Sequence, residues 1–150
     1  MRERIIIDTN LLILLIVGLY DPGYISQHKN TSDYTLDDFE LLSMRLEKCD
    51  LVVTSSILTE VSNLLWQTKD PHKSRIRLGL ADFISRANEH QVVSVNVTNA
   101  KEFMSLGLTD AGILELPEGA GLILTVDLDL HLGALCRDLP SENFNHYRYS

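Results

Sequence analysis

Four acidic residues stand where carboxylates can do chemistry. Asp8 directly follows the apolar run Ile5 to Ile7, Glu60 lies one turn into an amphipathic stretch, Asp110 sits in LGLTDAG, and Asp127 directly follows LILTV. Burying an unpaired carboxylate costs several kcal/mol, so each acid must cap a helix, reach solvent or face positive charge. Singly, Asp8, Asp110 and Asp127 read as caps or first-turn acids, and Glu60 as half of a surface ion pair. Jointly they read differently, because two carboxylates about 5 Å apart repel by about 3 kcal/mol at an effective dielectric near 20. A gathered set either shares protons or surrounds a hard divalent cation. All-oxygen donors favour Mg²⁺ or Mn²⁺, and the histidines and cysteines show no zinc-type spacing.

Whether the acids meet depends on the elements that carry them. ERIII (3–7), DLVVT (50–54), QVVSVNV (91–97) and GLILTV (121–126) read as strands, with NFNHYRY (143–149) as a last edge strand. Helices are expected over 10–20, 35–49, 55–69, 72–90, 99–107, 109–117 and 129–138. Thr35 and Asp38 form a capping box, Ser55 or Ser56 caps the next helix, and Gly107 ends the short one. Phe39, Leu42, Leu46 and Cys49 make one inward stripe, and Ile76, Leu80, Phe83 and Ile84 another.

Strands alternating with helices specify an α/β fold: a three-layer sandwich with a central, mainly parallel sheet and helices on both faces. Residues 1–150 form one domain, with a loop insertion at about 21–34 that exceeds most internal connections. Ligands of such sheets bind outside the carboxyl ends of the strands, where Asp8, Asp110 and Asp127 fall. Glu60 lies just outside the apolar arc of Ile57, Leu58, Val61, Leu64 and Leu65, so it borders the buried face, with Trp66 turned to solvent.

Bulk composition narrows the classes. A net charge of −8 opposes indiscriminate nucleic-acid binding. The one basic cluster, KDPHKSRIR, holds Lys69, His72, Lys73, Arg75 and Arg77, and reads either as a solvated helix start or as a surface for nucleic-acid backbone. The apolar run from Leu11 to Leu19 is about half of what crosses a bilayer, and Asp8 and Asn10 break any signal-like segment. The N-terminus therefore reads as part of the fold and the protein as cytoplasmic, with no membrane partner. Cys49 and Cys136 read as reduced core residues.

Taken in order, IIIDTN, SSILTEVSNLL, GLTDAGIL and ILTVDLDL resemble the four acidic motifs of the PIN-domain family of metal-dependent ribonucleases, over essentially the whole chain. The resemblance implies an acidic pocket holding Mg²⁺ or Mn²⁺ and hydrolysis of RNA phosphodiester bonds to leave 5′-phosphates. It also implies a homodimer, and the toxin role in a toxin–antitoxin pair would add an antitoxin protein as partner. The catalytic and metal-binding quartet falls on Asp8, Glu60, Asp110 and Asp127, with Asp129 as a fifth metal-site acid. Asn10 and Thr125 match the accompanying polar positions, and Asn63 stands one turn beyond Glu60 to support it. Lys69, Lys73, Arg75 and Arg77 are the candidate contacts to the RNA backbone. Two departures stand out: the Asp8-to-Glu60 distance is lengthened by the 21–34 insertion, and Val126 occupies a position that is polar in many relatives.

Two rival readings keep the acids but change the task. One is a PIN-like module that binds RNA or protein without turnover. The other is a phosphatase of haloacid-dehalogenase type, which needs a second Asp where this chain has Asn10 and a lysine near the final acids.

Overall fold

The structure is a computed structural model describing residues 2–150. The chain runs β1 (Arg4–Ile7), α1 (Thr9–Tyr20), a 3₁₀ turn (Pro22–Tyr24), α2 (Leu36–Leu46), β2 (Asp50–Thr54), α3 (Ser55–Leu65) and α4 (His72–Arg86). It continues β3 (Asn88–His90), α5 (Ser94–Thr98), α6 (Phe103–Leu114), β4 (Leu122–Thr125), α7 (Leu128–Cys136), β5 (Ser141–Asn143) and α8 (Asn145–Arg148). The five strands form one sheet in the order β3-β2-β1-β4-β5, and every pairing is parallel. This is a Rossmann-like α/β fold. Helices α1 to α4 pack among themselves, and α5 packs on α6 and α6 on α7. With right-handed crossovers, connections running outward from β1 and connections running back across it lie on opposite faces.

The sequence explains the centre. Ile5, Ile6 and Ile7 are buried on a strand flanked on both sides, so the run need not alternate. Helix α1 is buried from Leu11 to Gly18, since α2, α3 and α4 cover it where the sheet does not. Gly18 admits the Phe39 ring of α2, and Gly79 of α4 admits the ring of Tyr20.

Several expectations shift in detail. The third strand is Asn88–His90, not 91–97, and residues Ser94–Thr98 are a short helix with only Val97 buried. A strand at the sheet edge is held by backbone pairing to β2 and needs no apolar side chains, so the valine run misled. Helix α4 accordingly ends at Arg86, and its Ile84 is exposed. The last strand is Ser141–Asn143, after which Asn143 accepts the Asn145 amide at 2.9 Å and the chain turns into α8. Thr54, not Ser55 or Ser56, caps α3, accepting the Ile57 amide at 3.1 Å. Both cysteines are free thiols as expected, but only Cys49, half-buried, packs against the core, while Cys136 is exposed.

Other features match. The Thr35–Asp38 capping box forms, with contacts of 2.9 and 3.2 Å. Gly107, at φ 80°, breaks α6 into the two helical pieces expected there. The 21–34 insertion has no α-helix or strand, yet it buries Ile25, His28 and Thr31 and so is packed. Among the described residues, no helix is long and apolar enough to cross a membrane.

The close approach of α2 to α1 is testable. A Cβ at Gly18 would stand 2.0 Å from the Phe39 ring, whereas one at Gly23 meets nothing within 4 Å. Gly18→Ala is expected to cost about 2 kcal/mol through overpacking, seen as a lower urea midpoint at constant m-value. Gly23→Ala should leave the midpoint essentially unchanged.

Candidate functional site

The sheet reverses its winding between β1 and β4, and in open parallel sheets the crevice at such a switch point is where ligands bind. Asp8 and Asp127 flank it, each following its strand and opening the next helix. Asp8 Oδ1 accepts the Leu11 amide at 3.0 Å, capping α1. Its Oδ2 accepts the Thr125 hydroxyl and, at 3.2 Å, the Val126 amide. Thr125 is fully buried and in turn accepts the Asp127 amide at 2.9 Å. Asp127 Oδ1 caps α7 by accepting the Leu130 amide at 3.1 Å. One hydroxyl thus ties the two acids together across neighbouring strands.

Burial pushes the Asp8 carboxyl above the ordinary carboxylate range. Its three hydrogen bonds oppose that shift and the charge of Asp127 adds to it. Asp110, in the first turn after the Gly107 break, is pushed up to about 7, first by burial and then by the charges of Asp8, Asp127 and Glu60. Glu60 reaches this neighbourhood because α3 packs on α6. Its own side chain is exposed and does not border the core as its helical position suggested. All four acids therefore act on one electrostatic neighbourhood. Among the described residues, none of the four forms an ion pair with a Lys, Arg or His.

The acids gather without converging on a point. Among the described residues, no three His, Cys, Asp or Glu side chains are grouped closely enough to hold one metal ion together. Asp129 is exposed in the first turn of α7, Asn10 is exposed in the first turn of α1, and Asn63 is exposed on α3. Neither amide side chain hydrogen-bonds to an acid among the described residues.

The basic cluster lies elsewhere. His72 pairs with Asp21, and Arg75 approaches the same carboxylate at 3.6 Å. Asp21 closes the far end of α1, whose 12 residues span roughly 18 Å from Asp8. Arg77 stacks over Trp66 at 4.3 Å, and Lys69 is exposed beside that turn while Lys73 is half-buried.

One neighbour of the acids was not anticipated. Tyr34 ends the 21–34 insertion, and its phenol is pushed up to about 12, first by burial and then by the charge of Asp8. The Arg148 guanidinium lies 4.6 Å from its ring centroid and 3.2 Å from the Asp38 carboxylate. Nothing in the sequence marks Tyr34 except its place just before the capping box.

No family model matches the chain, and no curated protein matches it in sequence.

Asp110 gives a pH prediction. Its folded pKa of about 7 exceeds the ordinary 3.8, so between those values the folded chain holds a proton that the unfolded chain has lost. Its contribution to stability is complete below about pH 4 and is lost as the pH rises through 7. Asp110→Asn should therefore be more stable than wild type at pH 8 in chelator, by on the order of 2 kcal/mol, and equal to it near pH 4. Thermal melts at the two pH values check this.

Proposed function

We propose that this chain is a Mg²⁺- or Mn²⁺-dependent endoribonuclease of PIN-domain type. The observation that carries the reading is the Asp110 carboxyl, repelled by Asp8, Asp127 and Glu60, with no basic partner for any of them among the described residues, beside the switch point of the sheet. Acids gathered without arginine or lysine call for a mobile cation, and their all-oxygen chemistry fits a hard one. The proposed cation takes one or two of these carboxylates and fills its remaining shell with water and substrate phosphate, as Mg²⁺ commonly does.

Bound there, such a cation would neutralise charge on a phosphodiester and lower the pKa of a water. The chain's own residues set the geometry. Asp8 is immobilised by its three donors and presents its charge at a fixed place. Asp127 spends one oxygen as a cap and keeps the other available. Asp110, half protonated near neutral pH, ionises readily when positive charge arrives beside it. Glu60, exposed at the rim, is placed to orient a water or to hold a second ion. Asp129 is one further carboxylate on the solvent side of α7. Arg75 is held at the far end of α1, so backbone contacts by the 69–77 cluster require an RNA long enough to pass around that end.

The resemblance adds a homodimer, a cytoplasmic setting and, for a toxin role, an antitoxin protein. A binding module without turnover is the second reading, favoured by Asp8 and Asp127 already serving as helix caps. The phosphatase reading is weakened by Asn10, which stands where that chemistry needs a second Asp.

The test is an RNA panel incubated with Mn²⁺, Mg²⁺ or chelator. Cleavage is expected with either metal, absent in chelator, and reduced at least about 100-fold in Asp8→Asn and Asp110→Asn. Mn²⁺ should also raise the wild-type Tm by linkage but not that of the variants. Metal-independent cleavage, or equal Tm shifts, would refute the site; RNA binding without cleavage in any metal would favour the module.

A further inference from the structure

The 21–34 insertion is built around an imidazole that the acidic site does not use. His28 is 1% exposed. Its Nδ1 accepts the Asn30 amide at 3.0 Å, so the ring is neutral with its proton on Nε2. Nε2 is itself buried without a hydrogen-bond partner. The segment folds back on this ring: the His28 amide donates to the Tyr24 carbonyl at 2.9 Å, the Thr31 amide to the His28 carbonyl at 3.1 Å, and the Thr31 hydroxyl to the Ile25 carbonyl at 2.6 Å. The Tyr24 ring lies edge-on to His28 and stacks on His72 of α4 at 4.0 Å. His72 holds Asp21, beside which lies Arg75. From there the segment crosses to Tyr34, within electrostatic range of Asp8.

Protonation would undo this arrangement at its centre. A second ring proton on Nδ1 would confront the Asn30 N–H, leaving that amide without its acceptor and placing a charge where nothing solvates it. Burial alone already holds the His28 pKa below that of a free imidazole, with no charged side chain contributing. The charged groups on the segment and on the elements against it are Lys29 and Asp33 within it, Asp21 at its start, His72 and Arg75 of α4, and Arg148 of α8, which donates to the Asp33 carbonyl at 3.2 Å. His72 contacts Asp21 and not His28, so His72→Gln separates that pair from the latch.

We infer that His28 is an acid-released latch: neutral, it holds the 21–34 segment closed between the far end of α1 and the acidic edge, and protonated, it frees that segment. The latch does not depend on the ribonuclease reading, since it rests on contacts at the other end of the segment.

Amide hydrogen exchange on the full chain tests it, with rates corrected for intrinsic pH dependence and α1 as internal reference. Between pH 7.5 and 5.0, protection across residues 25–33 is expected to fall, by up to about tenfold per pH unit for a single proton, while α1 stays protected. His28→Asn keeps a side-chain acceptor for the amide two residues on and cannot titrate, so its segment should show no such fall. Because that variant also removes ring volume, the wild-type His28 ring is followed by NMR alongside. Its titration midpoint should lie below 6.5 and coincide with the shifts of the segment's amides. Protection that does not change with pH, a response retained in His28→Asn, a response abolished in His72→Gln, or a ring midpoint at or above 6.5 would each overturn the latch.

Discussion

The structure turns on a single buried carboxylate. Asp8 follows the central strand and caps the helix that α2, α3 and α4 cover, so its charge must be satisfied within the fold. Two of its three donors, Thr125 at the end of neighbouring β4 and Val126 just after it, are more than a hundred residues away in sequence. Closing the sheet between β1 and β4 and solvating Asp8 are therefore one event. That shared requirement also brings Asp127 beside it, since the hydroxyl that serves Asp8 accepts the Asp127 amide.

Once these two acids are fixed, the others follow from topology. The crossover from β3 back to β4 must pass over β1 and β2, and the second piece of α6 lies on that path with Asp110 in its first turn. Helix α3 starts at the same edge and brings Glu60 within electrostatic range. Among the described residues the resulting concentration of like charge has no ion-pair partner, while Arg45, Arg137 and Arg148 are each engaged with carboxylates elsewhere. A fold that spends its arginines on structure and leaves one acidic cluster unpaired concentrates its negative potential at the switch point.

Much of this was legible in the residues. Short apolar runs marked β1, β2 and β4, because strands buried on both faces have no polar side to interrupt them. Gly107 and the Thr35–Asp38 pair marked helix limits, because each answers a local backbone requirement. The edge strands were not legible: Asn88–His90 and Ser141–Asn143 have little to bury, and their pairing is written in the positions of β2 and β4. Asp8 and Asp127 were legible from their places after strands, Glu60 from its place one turn into a helix, and Asp110 from its place in the first turn after Gly107. What the sequence could not supply was their separation, which depends on how far α3 and α6 lean across the edge. Nor could it supply Tyr34, whose proximity to Asp8 comes from a segment without regular periodicity, or the diversion of Arg75 toward Asp21.

The short terminal strands have a consequence for assembly. Each outer edge offers only three residues of free backbone, carrying Asn, Glu and His on one side and Ser, Glu and Asn on the other. Such brief, polar borders are poor templates for sheet extension. A neighbouring chain therefore cannot readily prolong the ladder, and the sheet resists edge-to-edge growth.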